Sequence, residues 1–335
     1  MKKISLIIIL SVFLLPSCMN EPAEQPNTYK GNFESLWQII DSKYCYLDYK
    51  NINWDSIHTI YAARVDTVKS TFPFFDLMGN MLNELKDGHV NLYSDFNKSH
   101  YWKWFQDYPV NFNTTLIYNS RYLGSNYLLA GGFRYGKISN GTIGYMYYDD
   151  FSDAFSDSNI AYIMNYFSAC KALIIDVRNN GGGSLDYSKQ LASYFYKVET
   201  LTGYMRHKTG DGHADFSAPV EIKTPASKNI QWQRPVAVLT NRMSYSATND
   251  FVNRMKKAPN AIIVGDKTGG GGGLPLSSEL PNGWLVRFSS SPMYDSAMQD
   301  TEWGIDPDVR DSIKVEDQAK GIDTIIERAI KIISQ

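Results

Sequence analysis

Apolar side chains recur three or four positions apart in three stretches near the start of the chain, at residues 31–44, 54–69 and 72–86. This is the period of an amphipathic helix. Asn53 lies directly before the second stretch, where a helix-capping side chain is expected. The spacing predicts a small N-terminal helical domain over residues 30–92.

A different pattern begins after this domain. Residues 93–140 are rich in tyrosine, asparagine and glycine around short apolar pieces, which predicts a short β-rich connecting segment of strands and loops. Further on, four apolar runs of strand length occur at residues 143–148, 172–177, 236–240 and 261–265. Helical patterns lie between and after them, at residues 158–169, 186–197, 246–256 and 315–333. The alternation predicts an α/β domain with a mainly parallel sheet over residues 141–335.

The first residues read as a processing signal. Lys2 and Lys3 precede an apolar stretch at residues 4–15, and Leu-Pro-Ser-Cys follows, ending at Cys18. Residues 1–17 resemble a bacterial lipoprotein signal peptide that is cleaved before a lipidated Cys18; an ordinary secretory signal with a chance cysteine is the alternative. The polar, proline-containing residues 18–29 predict a flexible tether. We therefore expect a cell-envelope protein held to a membrane, on its periplasmic or surface face, by lipid at Cys18.

Composition narrows the class of protein. With 43% hydrophobic and 20% charged residues, the chain is globular and not disordered or collagen-like. Its 33 basic and 35 acidic side chains nearly cancel, so no net field favours nucleic acid. Three cysteines do not make a disulfide scaffold, and Cys45 and Cys170, among apolar neighbours, are expected to be buried free thiols. No HExxH or paired-cysteine spacing occurs, so we expect neither a metal nor another cofactor.

Two turns that each join a buried strand to a helix carry candidate chemistry. Residues 181–183 are consecutive glycines, and exposed backbone N–H groups at a helix start attract developing negative charge. A turn that binds nothing and a phosphate loop are the alternatives, although neither common phosphate-loop pattern is present. Ser246 follows the strand at residues 236–240 and begins a helix. A serine there is most often an N-cap, but beside backbone donors it has the placement of an acyl-transfer nucleophile.

Four segments share a resemblance in their order and spacing. They are residues 176–183 (DVRNNGGG), 244–247 (SYSA), 264–270 (VGDKTGG) and 304–308 (GIDPD). Together they resemble the C-terminal processing (tail-specific) and tricorn-type serine peptidases, and the helical start is also similar. The resemblance implies a ClpP/crotonase-like αβ catalytic core that hydrolyses peptide bonds through an acyl-enzyme on Ser246. It also implies an oxyanion hole made by the N–H of Ala247 and one from Gly182 or Gly183.

The chain departs from one branch of this family and is similar to the other. The lysine-using branch has its base near the position of Gly271, and Lys267, close by, reads as a solvated loop lysine. The histidine-using branch matches better, because His89 in Asp-Gly-His takes the place of its general base. Gly88 stands where that branch has a supporting serine. His213 repeats the same tripeptide and is the alternative base, but it lies in a polar excursion.

A third catalytic member is implied by the same resemblance. Glu302, shortly before the terminal GIDPD segment, is expected to orient His89; an exposed loop carboxylate is the alternative. Arg178 and Asp308 are expected to hold loops together. The segment between the helical and α/β domains is too short for the peptide-binding PDZ domain that many tail-specific proteases carry.

These observations predict a serine-type peptidase that acts on a peptide or unfolded protein, with Ser246 as nucleophile and His89 as general base. The alternative is a catalytically silent lipoprotein that binds a peptide or an apolar ligand on the same scaffold. Acyl transfer of the crotonase kind is a third possibility, for which the chain shows no clear coenzyme A signature.

Overall fold

A computed structural model describes residues 25–335, so the predicted signal peptide (residues 1–17) and Cys18 lie outside the described residues. The predicted N-terminal helices are present as α1 (Tyr29–Lys43), α2 (Trp54–Val65) and α3 (Thr71–Asn83). Asn53 caps α2 as expected, since its side chain accepts a hydrogen bond from the Ser56 N–H. The three helices pack on an apolar core of their own.

The remaining elements follow in chain order. They are β1 (Asn91–Tyr93), β2 (Lys98–His100), α4 (Lys103–Gln106), α5 (Thr114–Ile117), β3 (Leu128–Ala130), β4 (Phe133–Ile138), β5 (Ile143–Tyr147), α6 (Asp157–Tyr166), β6 (Ala172–Asp176), α7 (Leu185–Ser193), β7 (Thr200–Met205), β8 (Val220–Thr224), β9 (Val236–Thr240), α8 (Ala247–Met255), β10 (Ala261–Gly265), β11 (Gly273–Glu279), β12 (Leu285–Asp295), β13 (Val309–Arg310), α9 (Val315–Gln318) and α10 (Thr324–Ile333).

The α/β prediction is confirmed by a seven-stranded sheet in the order β13-β10-β9-β6-β5-β4-β3. Its five strands from β13 to β5 run parallel, and β4 and β3 add an antiparallel edge. Helices α6, α7 and α8 contribute to the core on one face, whereas α10 packs on the other. The near-continuous apolar composition of β6 and β9 follows from this burial on both faces.

A second sheet was not predicted. It has the order β2-β1-β12-β7-β8, with β11 paired to β12, and each of its pairs is antiparallel. Alternate β12 residues Val286 and Phe288 are fully buried in the core of the helical domain. The long strand β12 therefore couples that domain to the rest of the chain.

Two predicted elements differ from the structure. The segment at residues 93–140 contains the short helices α4 and α5 in addition to strands and loops. The single helix expected at residues 315–333 is two helices, α9 and α10. Gly321 between them has φ +72°, a left-handed conformation that interrupts a right-handed helix, and Asp323 then caps α10.

Arg178 and Asp308 both tie loops together. The fully buried Arg178 guanidinium contacts the Asp176 carboxylate at 2.6 Å and the Asp323 carboxylate at 2.9 Å, which joins the end of β6 to the start of α10. The Asp308 carboxylate accepts a hydrogen bond from the Ile263 N–H at 2.8 Å. Within the described residues, Cys45 and Cys170 are both buried and unpaired.

Candidate active site

Ser246 stands in the sharp turn between β9 and α8. Its backbone has φ +58° and ψ −118°, a region that a residue with a side chain rarely adopts. Its side chain makes no capping hydrogen bond, although its carbonyl accepts the Asp250 N–H and begins the helix. The strained backbone therefore does not serve a side-chain cap, and such strain is concentrated at functional sites.

His89 lies against Ser246. The His89 Nε2 and Ser246 Oγ atoms are 2.9 Å apart, a hydrogen-bond distance, although the residues are separated by 157 positions in the chain. His89 is 3% exposed, and its backbone N–H donates to Asp87 Oδ1 at 2.7 Å. Within residues 25–335, its Nδ1 atom has no hydrogen-bond partner. His213 lies elsewhere, between the carboxylates of Asp41 and Asp48.

The buried environment keeps the His89 imidazole neutral. Burial lowers the pKa of His89 to about 4; the Asp87 carboxylate opposes the shift, and the positive charges of Arg287 and Lys50 add to it. Neutral imidazole is the form that accepts a proton. The geometry and charge state of His89 therefore both suit removal of the Ser246 hydroxyl proton.

The glycine turn packs directly on the serine turn. A Cβ atom placed on Gly182 would come within 2.8 Å of Ser246 Cβ and 2.9 Å of the Ala247 nitrogen. The Gly182 N–H, however, donates to Asn180 Oδ1 at 3.0 Å. Of the three backbone donors suggested from the sequence, Gly182 is therefore already engaged, which leaves Gly183 and Ala247 as the candidate oxyanion donors.

Both departures from the family pattern have a steric explanation. A Cβ atom on Gly88 would come within 2.7 Å of Trp104 Nε1 and 2.9 Å of Tyr245 Oη, so aromatic side chains occupy the space of a supporting serine. At Gly271, where the other branch has its lysine, a Cβ atom would lie 2.4 Å from the Tyr245 ring. Lys267 points elsewhere and pairs with Asp306 at 3.3 Å.

Glu302 is buried, but its carboxylate does not contact His89 as expected; it binds other groups. Its Oε1 atom contacts Lys50 Nζ at 2.6 Å, and its Oε2 atom accepts the Gly272 N–H at 3.0 Å. Both carboxylate oxygens are thereby engaged with other groups. Lys50 also contacts Asp87 Oδ2 at 3.4 Å. Glu302 is thus connected to the His89 backbone through Lys50 and Asp87. We call Lys50, Asp87 and Glu302 the Lys50 cluster.

The Lys50 cluster places one cation between two carboxyl groups in the protein interior. Burial raises the pKa of Glu302 to about 8, with Asp87 acting in the same direction and Lys50 opposing the shift. Burial lowers the pKa of Lys50, but the two carboxylates outweigh it and raise that pKa overall. For Asp87, Lys50 and the His89 N–H outweigh burial and lower the pKa. A charged Lys50 facing an ionised Asp87 is the stable core of the cluster.

The sequence reasoning missed Lys50. It stands in a tyrosine-rich loop after α1, with no periodicity or motif to distinguish it from a solvated lysine, yet its side chain is 2% exposed. Asp87 could have been found, because it belongs to the same Asp-Gly-His tripeptide as His89. Tyr44 and Ser289 complete the Asp87 environment by donating to its Oδ2 atom at 2.8 and 3.1 Å.

Ser246 borders a cavity of about 280 Å³. Its walls come from the glycine turn, the start of α7, the serine turn and strands β11 and β12: Gly183, Ser184, Leu185, Asp186, Ser246, Gly271, Gly273, Leu274, Pro275, Arg287 and Met293. The nucleophile candidate is thus reachable from a space with room for part of a peptide. No cluster of potential metal ligands occurs within the described part of the chain.

Known proteins match this chain over both of its domains. The sequence profile of peptidase family S41 matches residues 142–311, just over half of the chain, and that of the tricorn protease C1 domain matches residues 25–83. The chain belongs to peptidase family S41. The family resemblance inferred from the sequence is thereby confirmed.

Individual relatives agree with this S41 assignment. A crystal structure from Parabacteroides merdae, named as a peptidase, is 48% identical, covers 92% of this chain and 97% of its own, and superposes with a TM-score of 0.88. A protein of Staphylococcus saprophyticus named as a CtpA-like serine protease is 28% identical over 161 residues, which are 48% of this chain and 29% of that protein. The S41 chain thus spans less than a third of the length of that curated relative.

A more distant structure shares the fold alone. Mature CPAF, solved in complex with lactacystin, is 14% identical over 91% of this chain and 97% of its own, with a TM-score of 0.66. The fold of this chain is therefore shared at low identity over nearly all of its described residues.

The Lys50 cluster can be tested by removing its cation. Lys50→Met leaves the buried Asp87 carboxylate without its counter-charge, and we expect the free energy of unfolding to fall by about 3–5 kcal/mol. Adding Asp87→Asn should restore part of the loss, because Asp87 is the ionised carboxylate that Lys50 neutralises. Urea unfolding followed by circular dichroism measures both, with Lys189→Met, in an exposed pair with Asp186, as the control. A Lys50→Met variant as stable as this control would contradict the prediction.

Proposed function

We propose that this S41 family member is a serine peptidase that hydrolyses peptide bonds through an acyl-enzyme on Ser246. The observation that carries the proposal is the 2.9 Å contact between His89 Nε2 and Ser246 Oγ at the edge of a cavity. The partners lie 157 positions apart in the chain, and the Ser246 backbone is held in a rarely populated conformation. The contact with His89 and the strained backbone therefore both single out the Ser246 hydroxyl group.

The chemistry follows from these positions. His89 Nε2 takes the Ser246 proton as Oγ attacks the peptide carbonyl carbon, and the resulting oxyanion accepts hydrogen bonds from the N–H groups of Gly183 and Ala247. When the tetrahedral intermediate collapses, the carbon–nitrogen bond breaks and protonated His89 gives its proton to the leaving amine. Water, deprotonated by His89, then hydrolyses the ester and restores Ser246.

Glu302 takes a positioning role in this proposal. It contacts Lys50, Lys50 contacts Asp87, and Asp87 holds the backbone N–H of His89. The Lys50 cluster thereby holds the segment that carries the imidazole. It does not touch the Ser246 hydroxyl or the reacting carbonyl.

The contact between His89 and Ser246 also bears on the silent binding lipoprotein considered from the sequence. A large separation of the two reactive atoms would have favoured that alternative. At 2.9 Å the pair instead has the arrangement of a base and its nucleophile. A peptide or unfolded protein is the substrate class that suits such a pair in a family of peptidases.

We further propose that the mature protein is held at a membrane of the bacterial cell envelope by lipid on Cys18. The proposal rests on the sequence of residues 1–29. In the described part of the chain, every helix is too short or too polar to cross a bilayer. Cys18→Ala should abolish incorporation of a fatty-acid label and move the protein out of the membrane fraction, whereas Met19→Ala should change neither. If Cys18→Ala carried no fatty-acid label and yet stayed in the membrane fraction, the proposal would be contradicted.

The nucleophile assignment predicts selective chemical labelling. A fluorophosphonate probe should label the wild type and spare Ser246→Ala, because the hydroxyl is the phosphonylated group. Ser246→Ala and His89→Gln should each lower kcat for a peptide substrate by at least about a thousandfold. Ser312→Ala, at an exposed loop position, is the matched control. Equal labelling of wild type and Ser246→Ala would reject this nucleophile.

The buried His89 predicts an unusual acid limit. A base works in its neutral form, and the lowered pKa of His89 extends that form to lower pH. We expect kcat/KM to fall at acid pH with an apparent pKa of about 4, in place of the ordinary value near 6.5. Circular dichroism at each pH checks that the protein stays folded. A midpoint near the ordinary value in folded protein would show that the imidazole is not desolvated as the structure has it.

A further inference from the structure

Arg287 faces the candidate active site because of the alternation of strand β12. Its neighbours Val286 and Phe288 are fully buried in the core of the helical domain. Successive side chains of a strand point to opposite faces, so Arg287 points away from that core. It lines the cavity that contains Ser246. In the antiparallel pairing of β1 with β12 it stands opposite Asn91, two positions after His89.

Among the described residues, none accepts a hydrogen bond from the guanidinium of Arg287. Within residues 25–335 it makes neither a hydrogen bond nor an ion pair, although the residue is partly buried. Arg178 and Arg254 show the usual arrangement, since each is buried against aspartate. Several N–H donors of Arg287 are therefore free beside a space that a substrate would enter.

The acidic side chain on the cavity wall, Asp186, is paired with another residue. Asp186 is 86% exposed and pairs with Lys189 at 2.9 Å. The rest of the wall near Arg287 includes the apolar Leu274, Pro275 and Met293. A planar cation on a partly apolar wall suits a carboxylate attached to an otherwise uncharged chain, because guanidinium and carboxylate can form two parallel hydrogen bonds.

We propose that Arg287 binds a carboxylate of the substrate and that the peptidase prefers peptides carrying that carboxylate close to the bond it cuts. This inference rests on the proposed peptidase function and specifies its substrate class. The carboxylate comes from an acidic side chain or from the free C-terminus of the peptide. Both present the same group to Arg287, and the test separates them.

A matched peptide series tests the proposal on the wild type, Arg287→Gln and the control Arg328→Gln, an exposed arginine on α10. A mixed peptide library, read by mass spectrometry, first locates the cleaved bonds. Peptides that then differ only by Glu or Gln near that bond, or only by a C-terminal acid or amide, give kcat/KM for each source of carboxylate. Work at about pH 8 keeps His89 neutral in every variant.

For one of the two sources, we expect the wild type and Arg328→Gln to favour the carboxylate over its amide counterpart by about tenfold or more, the size of a charge-assisted hydrogen bond. In Arg287→Gln the ratio of kcat/KM for the carboxylate peptide to that for its amide counterpart should fall toward one. Most of this change should be a lower kcat/KM for the carboxylate peptide. A wild type without preference overturns the proposal. An equal fall in kcat/KM for both peptides in Arg287→Gln overturns it as well.

Binding separates this inference from the peptidase proposal. The same peptides are titrated by fluorescence anisotropy into Ser246→Ala and into Ser246→Ala with Arg287→Gln. If no peptide is cleaved by the wild type, but the carboxylate form binds Ser246→Ala about tenfold tighter and loses this advantage without Arg287, the carboxylate site stands and the hydrolytic function fails. If cleavage occurs without any carboxylate preference in rate or binding, the hydrolytic function stands and the role of Arg287 is rejected.

Discussion

Parallel pairing of β6 with β9, in which Asp176 stands opposite Leu239, determines how close the two chemically important turns lie. The glycine turn leaves the carboxyl end of β6, and the serine turn leaves the carboxyl end of β9. In a parallel sheet these ends share one edge, where functional groups collect. Because Gly182 has no Cβ, its backbone can approach Ser246 and Ala247 directly. The hydroxyl and the backbone donors thus depend on one strand register.

The base reaches this edge by a separate route. His89 precedes β1, and β1 pairs with β12 of the antiparallel sheet. Since β12 also packs its buried side chains on the helical domain, the position of the imidazole depends on the docking of that domain. The interior at this junction is polar: Lys50, Asp87 and Glu302 are all buried there. Such a cluster is costly to desolvate and leaves an uncompensated charge when its cation is removed.

Local sequence was sufficient to predict elements whose form depends mainly on residues close by in the chain. The apolar runs of β6, β9 and β10 predicted a parallel sheet, and the glycines and Ser246 marked two turns that the structure brings together. The helix expected at residues 315–333 failed for the complementary reason. Its periodicity was compatible with continuation, whereas the break around Gly321 places Asp323 against Arg178, more than a hundred residues away in the chain.

The sequence by itself determined the family, the α/β class and the candidates Ser246 and His89, because those signals lie in short motifs and hydrophobic periods. Only the tertiary structure decided that Gly182 is already bonded to Asn180, that Glu302 meets Lys50 and not His89, and that Arg287 faces the cavity. A hydrogen bond or an ion pair depends on distances of about 3 Å between side chains far apart in the chain. Hydrophobic periodicity does not specify such distances, because they are set only when the strands pair in a particular register.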